Sequence, residues 1–223
     1  ALMLGVQGQR PETPDGKSFN PVIAHGISVM SMAFLLTERS PTIWRGPMVS
    51  GAFTQMLRQT NWENLDYLVI DLPPGTGDIQ LTLSQQVPVN GAVVVTTPQD
   101  IALLDARRGI EMFRRVEVPV LGVIENMSLH CCPKCGHTEH LFGEGGGDRI
   151  AAEYDTELLG ALPLDLEIRQ QTDSGNPSVI SDPDGSVALV YRDIARRTGA
   201  RLSLFAERNG SSSLIAKTKG ADE

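Results

Sequence analysis

The strongest constraint on this chain is a set of short, mostly apolar runs with no polar–apolar alternation. Tyr67-Leu68-Val69-Ile70 stops at Asp71, Gly91-Ala92-Val93-Val94-Val95-Thr96-Thr97 stops at Pro98, and a third run spans Pro119 to Ile124. A strand with one wet face alternates polar and apolar residues; a run with no alternation needs cover on both faces, as strands of a parallel sheet have. Helix-period stretches follow the runs. Ile79 to Gln86 is one, and Ile101 to Val116 is another, with Leu103, Ala106, Ile110 and Phe113 on one face. Further on, Asp148 to Tyr154 reads as a helix, Leu158 to Leu162 as a fourth strand, and Val187, Val190, Tyr191, Ile194 and Ala195 mark a last amphipathic helix. Upstream, glycines and prolines break residues 5–26 into loop, Ile27 to Leu36 is a short apolar segment, and residues 50–60 carry Phe53, Met56 and Leu57 at helical spacing. The expected fold class is α/β with three layers, a mostly parallel sheet with helices on both faces. It occupies one domain over residues 1–206, and the Ser-rich segment 207–223 is expected to be a disordered tail.

Composition narrows the function classes. Of 223 residues, 41% are hydrophobic and 21% charged, which excludes a disordered, collagenous or coiled-coil chain. A net charge of −8 argues against a broad nucleic-acid surface. No apolar run approaches the roughly 20 residues that cross a bilayer, so no membrane partner is expected. Cys131, Cys132 and Cys135 fall within five residues, unlike the spread framework of a secreted disulfide protein. A reducing compartment, the cytoplasm, is the expectation. The chain opens on Ala1 with no signal-peptide pattern and is expected to begin partway through a longer protein.

Parallel sheets bind ligands at the C-terminal ends of their strands, so the residues after each run carry the chemistry. Asp71 opens Asp71-Leu72-Pro73-Pro74-Gly75-Thr76-Gly77-Asp78. Four apolar residues and then Asp is a Walker-B pattern, in which a carboxylate at a strand tip orders Mg²⁺ beside phosphates. Gly75 would let a backbone N–H approach a phosphate without a Cβ in the way. Asp71 or Asp78 could orient an attacking water, while the plainer role for Asp78 is to cap the next helix. After the third run stands Asn126, whose amide could meet a purine edge or close an Asx turn. Pro163 and Asp165, after the fourth, could form the other side of a base pocket. Gly143-Glu144-Gly145-Gly146-Gly147 has the glycines of an anion loop but no lysine and an acidic Glu144, so it reads as a flexible connection.

All three cysteines and three of the four histidines lie between His130 and His140. In Cys132-Pro133-Lys134-Cys135-Gly136, Pro and Gly permit a tight turn that aims two thiolates at one point, the arrangement of a metal site. Two ligand sets are open. One chain could offer Cys132, Cys135, His137 and His140 to Zn²⁺, with the histidine pair closer than zinc-finger spacing normally allows. Alternatively two chains could each give Cys132 and Cys135 across a two-fold axis, four thiolates suited to Zn²⁺ or to a [4Fe–4S] cluster. Cys131 is assigned no ligand role.

Together these strings resemble the Mrp/ApbC family of iron–sulfur cluster carrier ATPases, relatives of MinD, ParA and nitrogenase iron protein. The resemblance runs from Met3-Leu4-Gly5 to about Phe205, through Asn20-Pro21, Trp44-Arg45-Gly46-Pro47, Asp71 to Asp78, Thr97 to Asp100, Glu125 to Ser128, the cysteine turn, Phe142 to Gly147 and Asp173 to Pro177. It implies a homodimer that binds a labile [4Fe–4S] cluster between Cys132 and Cys135 of each chain and passes it to apo iron–sulfur proteins with ATP and Mg²⁺. It would place Asp71 and Gly75 at the Mg–phosphate site, with Asn126, Pro163 and Asp165 around adenine. One departure stands out: no Gly-Lys-Gly-Gly-x-Gly-Lys-Ser/Thr string occurs in the 223 residues, so little ATPase activity is expected of them alone. A zinc-binding dimerisation module is the rival from another class. A membrane-associated MinD-like ATPase is a third, weakened by the absence of a basic amphipathic C-terminal helix.

Overall fold

The computed structural model describes residues 1–35, 46–72, 87 and 89–208. At its centre lie three parallel strands, β3 (Ala92–Thr96), β4 (Val120–Glu125) and β7 (Leu158–Ala161), in the order β3-β4-β7. Val94 stands opposite Val123 and Thr96 opposite Glu125; on the other side of β4, Glu125 stands opposite Ala161. This register brings the three strand ends level, and Glu125 and the residues after it lie in the middle.

Because strand side chains alternate between faces, the unbroken apolar runs feed two cores at once. On one face Val94 and Val123 meet Leu103, Ala106 and Ile110 of α3 (Asp100–Arg115) and Ile150 of α4 (Gly146–Glu153). On the other, Leu159 and Leu162 pack with Ile194 of α7 (Ser186–Arg208), and Val93 and Ile124 close over them. Helices on both faces of a parallel sheet confirm the expected α/β class. The helix expected over Ile101–Val116 spans Asp100–Arg115, with its i, i+3, i+7 positions buried. Gly122 shows how tightly the layers close: a Cβ there would stand 2.5 Å from Leu159 Cγ and 2.7 Å from the Glu157 carbonyl.

A smaller core lies upstream. Val22–Ala24 (β1) and Ile27–Val29 (β2) form an antiparallel hairpin, and Val22, Ala24, Val6 and Phe34 of the short helix α1 (Met32–Leu35) bury one another. The sequence reading made β1 part of a loop. The strands have only three residues each, and their turn is His25-Gly26 with φ of 48° and 81°, a positive pair for which Asn-Gly is the usual signal. Helix α2 (Gly46–Gln59) covers residues 50–59 of the expected 50–60 and starts earlier, with Thr60 in an isolated bridge to Phe19.

The clearest departure is Tyr67–Ile70. The segment belongs to no sheet among the described residues, and Val69 is 89% exposed. An apolar run becomes a strand only where another strand supplies the ladder, and β3 pairs with β4 alone among the described residues. The helix expected at 79–86 lies outside the described residues.

Helices α5 (Leu166–Asp173) and α6 (Ser178–Ser181) connect β7 to α7, which runs to Arg208. Residues 209–223 are outside the described part.

Candidate functional site

The ends of β4 and β7 are sewn together beyond the sheet itself. Leu162 N–H donates to the Glu125 carbonyl at 2.8 Å, Ser128 N–H and Oγ–H both donate to the Leu162 carbonyl at 2.9 and 3.0 Å, and Leu164 N–H donates to the Leu129 carbonyl at 2.8 Å. Asn126 N–H ties the same layer to β3 by donating to the Thr96 carbonyl at 2.7 Å. Asn126 and Pro163 therefore sit in one hydrogen-bonded shelf at the C-terminal edge of the sheet, where ligands of this architecture bind.

Each predicted shelf residue has a local role. Asn126 Oδ1 accepts the Met127 N–H at 3.0 Å, holding Met127 at a φ of 56°, and the side-chain NH₂ has no partner among the described residues. Asp165 is the N-cap of α5; its Oδ1 accepts the Glu167 N–H at 2.7 Å. Pro163 is half-buried between them. Asp71 is exposed on the extended segment after Tyr67, and no hydrogen bond or ion pair joins it to the shelf among the described residues. Gly75 and Asp78 lie outside the described residues.

Sequence reasoning missed Glu125. Its side chain is 5% exposed, and Oε2 accepts the Gly147 N–H at 2.6 Å at the start of α4. The glycine-rich loop thus does receive an anion, but it is the chain's own carboxylate, placed where a helix N-terminus favours negative charge. Far from being a slack connection, Gly146 and Gly147 are buried, and a Cβ on Gly147 would meet Leu158 Cδ1 at 2.7 Å. The available signal was a glutamate at the inward end of a buried strand, together with a glycine loop that offers no cation.

The cysteine turn is the tip of a small hairpin. His130–Cys131 (β5) pairs with Thr138–Glu139 (β6), Cys132 N–H donates to the His137 carbonyl at 2.8 Å, and Gly136 N–H donates to the Cys132 carbonyl at 2.9 Å. Gly136 takes a φ of 71°, which closes the turn. The backbone N–H of Lys134, then that of Cys135, then the Cys135 side chain hold the Cys132 thiol below the ordinary thiol value of 9.0. Cys132 is half-buried and Cys135 exposed; all three cysteines are free thiols. Cys131 Sγ lies 3.8 Å from the Gly136 carbonyl, aside from the pair.

The single-chain zinc set is corrected by this geometry. Among the described residues no group of three or more His, Cys, Asp or Glu side chains converges to hold a metal. His140 is instead committed to the shelf: Nδ1 lies 2.8 Å from the Ser128 carbonyl and Nε2 3.7 Å from Glu144 Oε1. His130 Nδ1 lies 3.1 Å from the Leu164 carbonyl. The Cys132–Cys135 pair therefore has no completing ligands among the described residues.

A three-strand parallel sheet with helices on both faces, a hydrogen-bonded shelf at its strand ends and a Cys-x-x-Cys turn at the tip of a small hairpin define the class of fold. Residues 1–198 match the ParA family described as NUBPL iron-transfer P-loop NTPase, and the chain belongs to that family. It is 59% identical over 202 residues to the iron-sulfur cluster carrier protein of Pseudomonas fragi, covering 90% of this chain and 70% of that protein. The iron-sulfur cluster carrier protein of Escherichia coli K12 is 54% identical over 200 residues, 90% of this chain and 54% of its own length. The mouse iron-sulfur cluster transfer protein NUBPL is 49% identical over 200 residues, covering 90% of this chain and 62% of that protein. The chain therefore spans between about half and 70% of these relatives. Among solved structures, a nucleotide-binding protein from Archaeoglobus fulgidus in complex with ADP is 34% identical with a TM-score of 0.68, over 82% of this chain and 70% of that one. MinD from Pyrococcus furiosus, 20% identical with a TM-score of 0.51, shares the fold over 69% of this chain and 58% of its own.

Proposed function

We propose that this chain is the cluster-holding part of an iron–sulfur carrier. Cys132 and Cys135 of two copies bind one [4Fe–4S] cluster as cargo across a homodimer interface and release it to apo iron–sulfur proteins in the cytoplasm. The observation that carries this reading is the hairpin tip. Two thiols sit at an exposed turn, one of them held toward thiolate by backbone N–H groups, with no third or fourth ligand converging on them among the described residues. A second copy supplies the missing pair by symmetry, giving the four thiolates of a [4Fe–4S] cluster. Exposure suits cargo that must leave, and the carrier names of the relatives in Pseudomonas fragi and Escherichia coli support the same role.

For the nucleotide, the shelf fits the base side: the Asn126 NH₂ has no partner among the described residues, and Pro163 and Asp165 flank the same strand end. Asp71 is the proposed Mg²⁺ partner and Gly75 the proposed phosphate contact, with Asp78 the alternative water-orienting carboxylate. These 223 residues contain no P-loop string to complete the phosphate side, so ATP binding and hydrolysis are proposed for the whole-length protein and no hydrolytic step is assigned here.

The test is anaerobic loading with iron and sulfide. About two irons per chain and a broad thiolate–iron absorbance, lost in Cys132→Ser and in Cys135→Ser, are expected. A colourless protein holding about half a zinc per chain at the same cysteines would overturn the carrier reading in favour of a Zn(Cys)₄ dimerisation module.

A further inference from the structure

The hairpin that bears the cysteines has almost nothing of its own to hold it. Between Leu129 and Gly145 no residue is buried, and its ladder consists of two residue pairs, His130 with Glu139 and Cys131 with Thr138. A two-stranded ribbon of this size is marginal in water without packing. Its orientation must therefore come from where it is tied down.

Beside the backbone bond from Leu164 N–H to the Leu129 carbonyl, a histidine side chain ties each end of the hairpin. At the outgoing end His140 Nδ1 meets the Ser128 carbonyl at 2.8 Å; at the incoming end His130 Nδ1 meets the Leu164 carbonyl at 3.1 Å. A carbonyl only accepts, so each Nδ1 carries the proton and donates. Ser128 in turn donates twice to the Leu162 carbonyl, so both ties lead to Leu162–Leu164, the segment that contains Pro163. The second nitrogen of His140 lies 3.7 Å from Glu144 Oε1.

We propose that His140 and His130 are positioning residues: their Nδ1–H bonds lock the cysteine hairpin onto the Leu162–Leu164 shelf, fixing the direction in which Cys132 and Cys135 are presented to the shared cluster. Neither imidazole is a ligand in this account. The inference rests on the carrier reading above, since it concerns how firmly the cargo is held. Partners that orient metal ligands from outside the coordination set typically change metal retention by about 10- to 100-fold.

The test exploits which nitrogen is used. Asparagine places an N–H donor at the δ position and can replace the bond; glutamine places its donor one atom further out and cannot. The wild-type chain and the His140→Ala, His140→Gln and His140→Asn variants are loaded with iron and sulfide. Iron per chain, the visible circular dichroism of the cluster and the rate of iron loss to a chelator are then compared, with thermal unfolding as a control on folding. All four are expected to load. Loss is expected to quicken about tenfold in the Ala and Gln variants, with an altered dichroism band, and to return toward wild type in the Asn variant. Equal retention in all four, or equal loss in all three variants, would overturn the inference while leaving the carrier reading intact. Should the Ala variant fail to fold, the Gln–Asn contrast decides alone. A wild-type chain that takes up no iron overturns the carrier reading, and this inference with it.

Discussion

The sheet and the cysteine hairpin are held by different physics. In the sheet and the helices that cover it, Leu103, Ile110, Val123, Ile150 and Leu159 are at most 1% exposed, and stability comes from apolar area removed from water on both faces of three strands. In the hairpin no side chain is buried; its shape comes from a positive-φ glycine, a few backbone bonds and two histidine ties. The contrast teaches that here the part which specifies the fold and the part which proposes the function can be damaged separately. Stability should follow the first and metal content the second.

The largest expected effect on folding is therefore remote from the cysteines. Leu159→Ala removes a fully buried side chain between β7 and α7 and should cost about 2–5 kcal/mol in urea unfolding, while iron per folded chain stays at the wild-type level. A wild-type unfolding curve for this variant would break the comparison from the sheet side.

Glu125 sharpens it, because it belongs to both regions. Glu125→Ala leaves the buried Gly147 N–H without its acceptor and should cost about 1–3 kcal/mol by the same measurement. Since that bond anchors the return from the hairpin into α4, faster iron loss should accompany the lower stability. A smaller cost, about 1 kcal/mol, is expected for Asp165→Ala through loss of the α5 cap alone, with iron retention unchanged.

Smallest of all should be the stability change in Cys132→Ser, within about 0.5 kcal/mol, although the variant is expected to hold no cluster. The same thiol has a pH signature. Its folded state favours the thiolate, so whatever the ionised form contributes is present at high pH and is lost as pH falls through the depressed folded value. Iodoacetamide labelling of Cys132, followed by peptide mass spectrometry, should accordingly have its midpoint below the ordinary 9.0. A midpoint at or above that value would contradict the turn geometry.

How much of this was legible beforehand follows the same division. The helix at Asp100–Arg115 and the strands at Ala92–Thr96 and Val120–Glu125 were readable because burial on both faces leaves an unbroken apolar string, and an amphipathic helix leaves a period. Tyr67–Ile70 has the same string yet pairs with nothing among the described residues, because a strand is a property of two segments and only one is written locally. The cysteine turn was readable from spacing, since Cys-Pro-Lys-Cys-Gly is local chemistry. The ties at His130, His140 and Glu125 were not: their partners lie 34, 12 and 22 residues away, and two of the three are backbone carbonyls that no side-chain motif announces.

The central claim is that one chain offers half a site. Native mass spectrometry of the anaerobically loaded chain tests it most directly. The account predicts one metal-bearing species whose mass is two chains plus four irons and four sulfides, absent from the apo sample. A metal-bearing single chain would contradict it, as would a loaded dimer that persists in the Cys132→Ser, Cys135→Ser double variant.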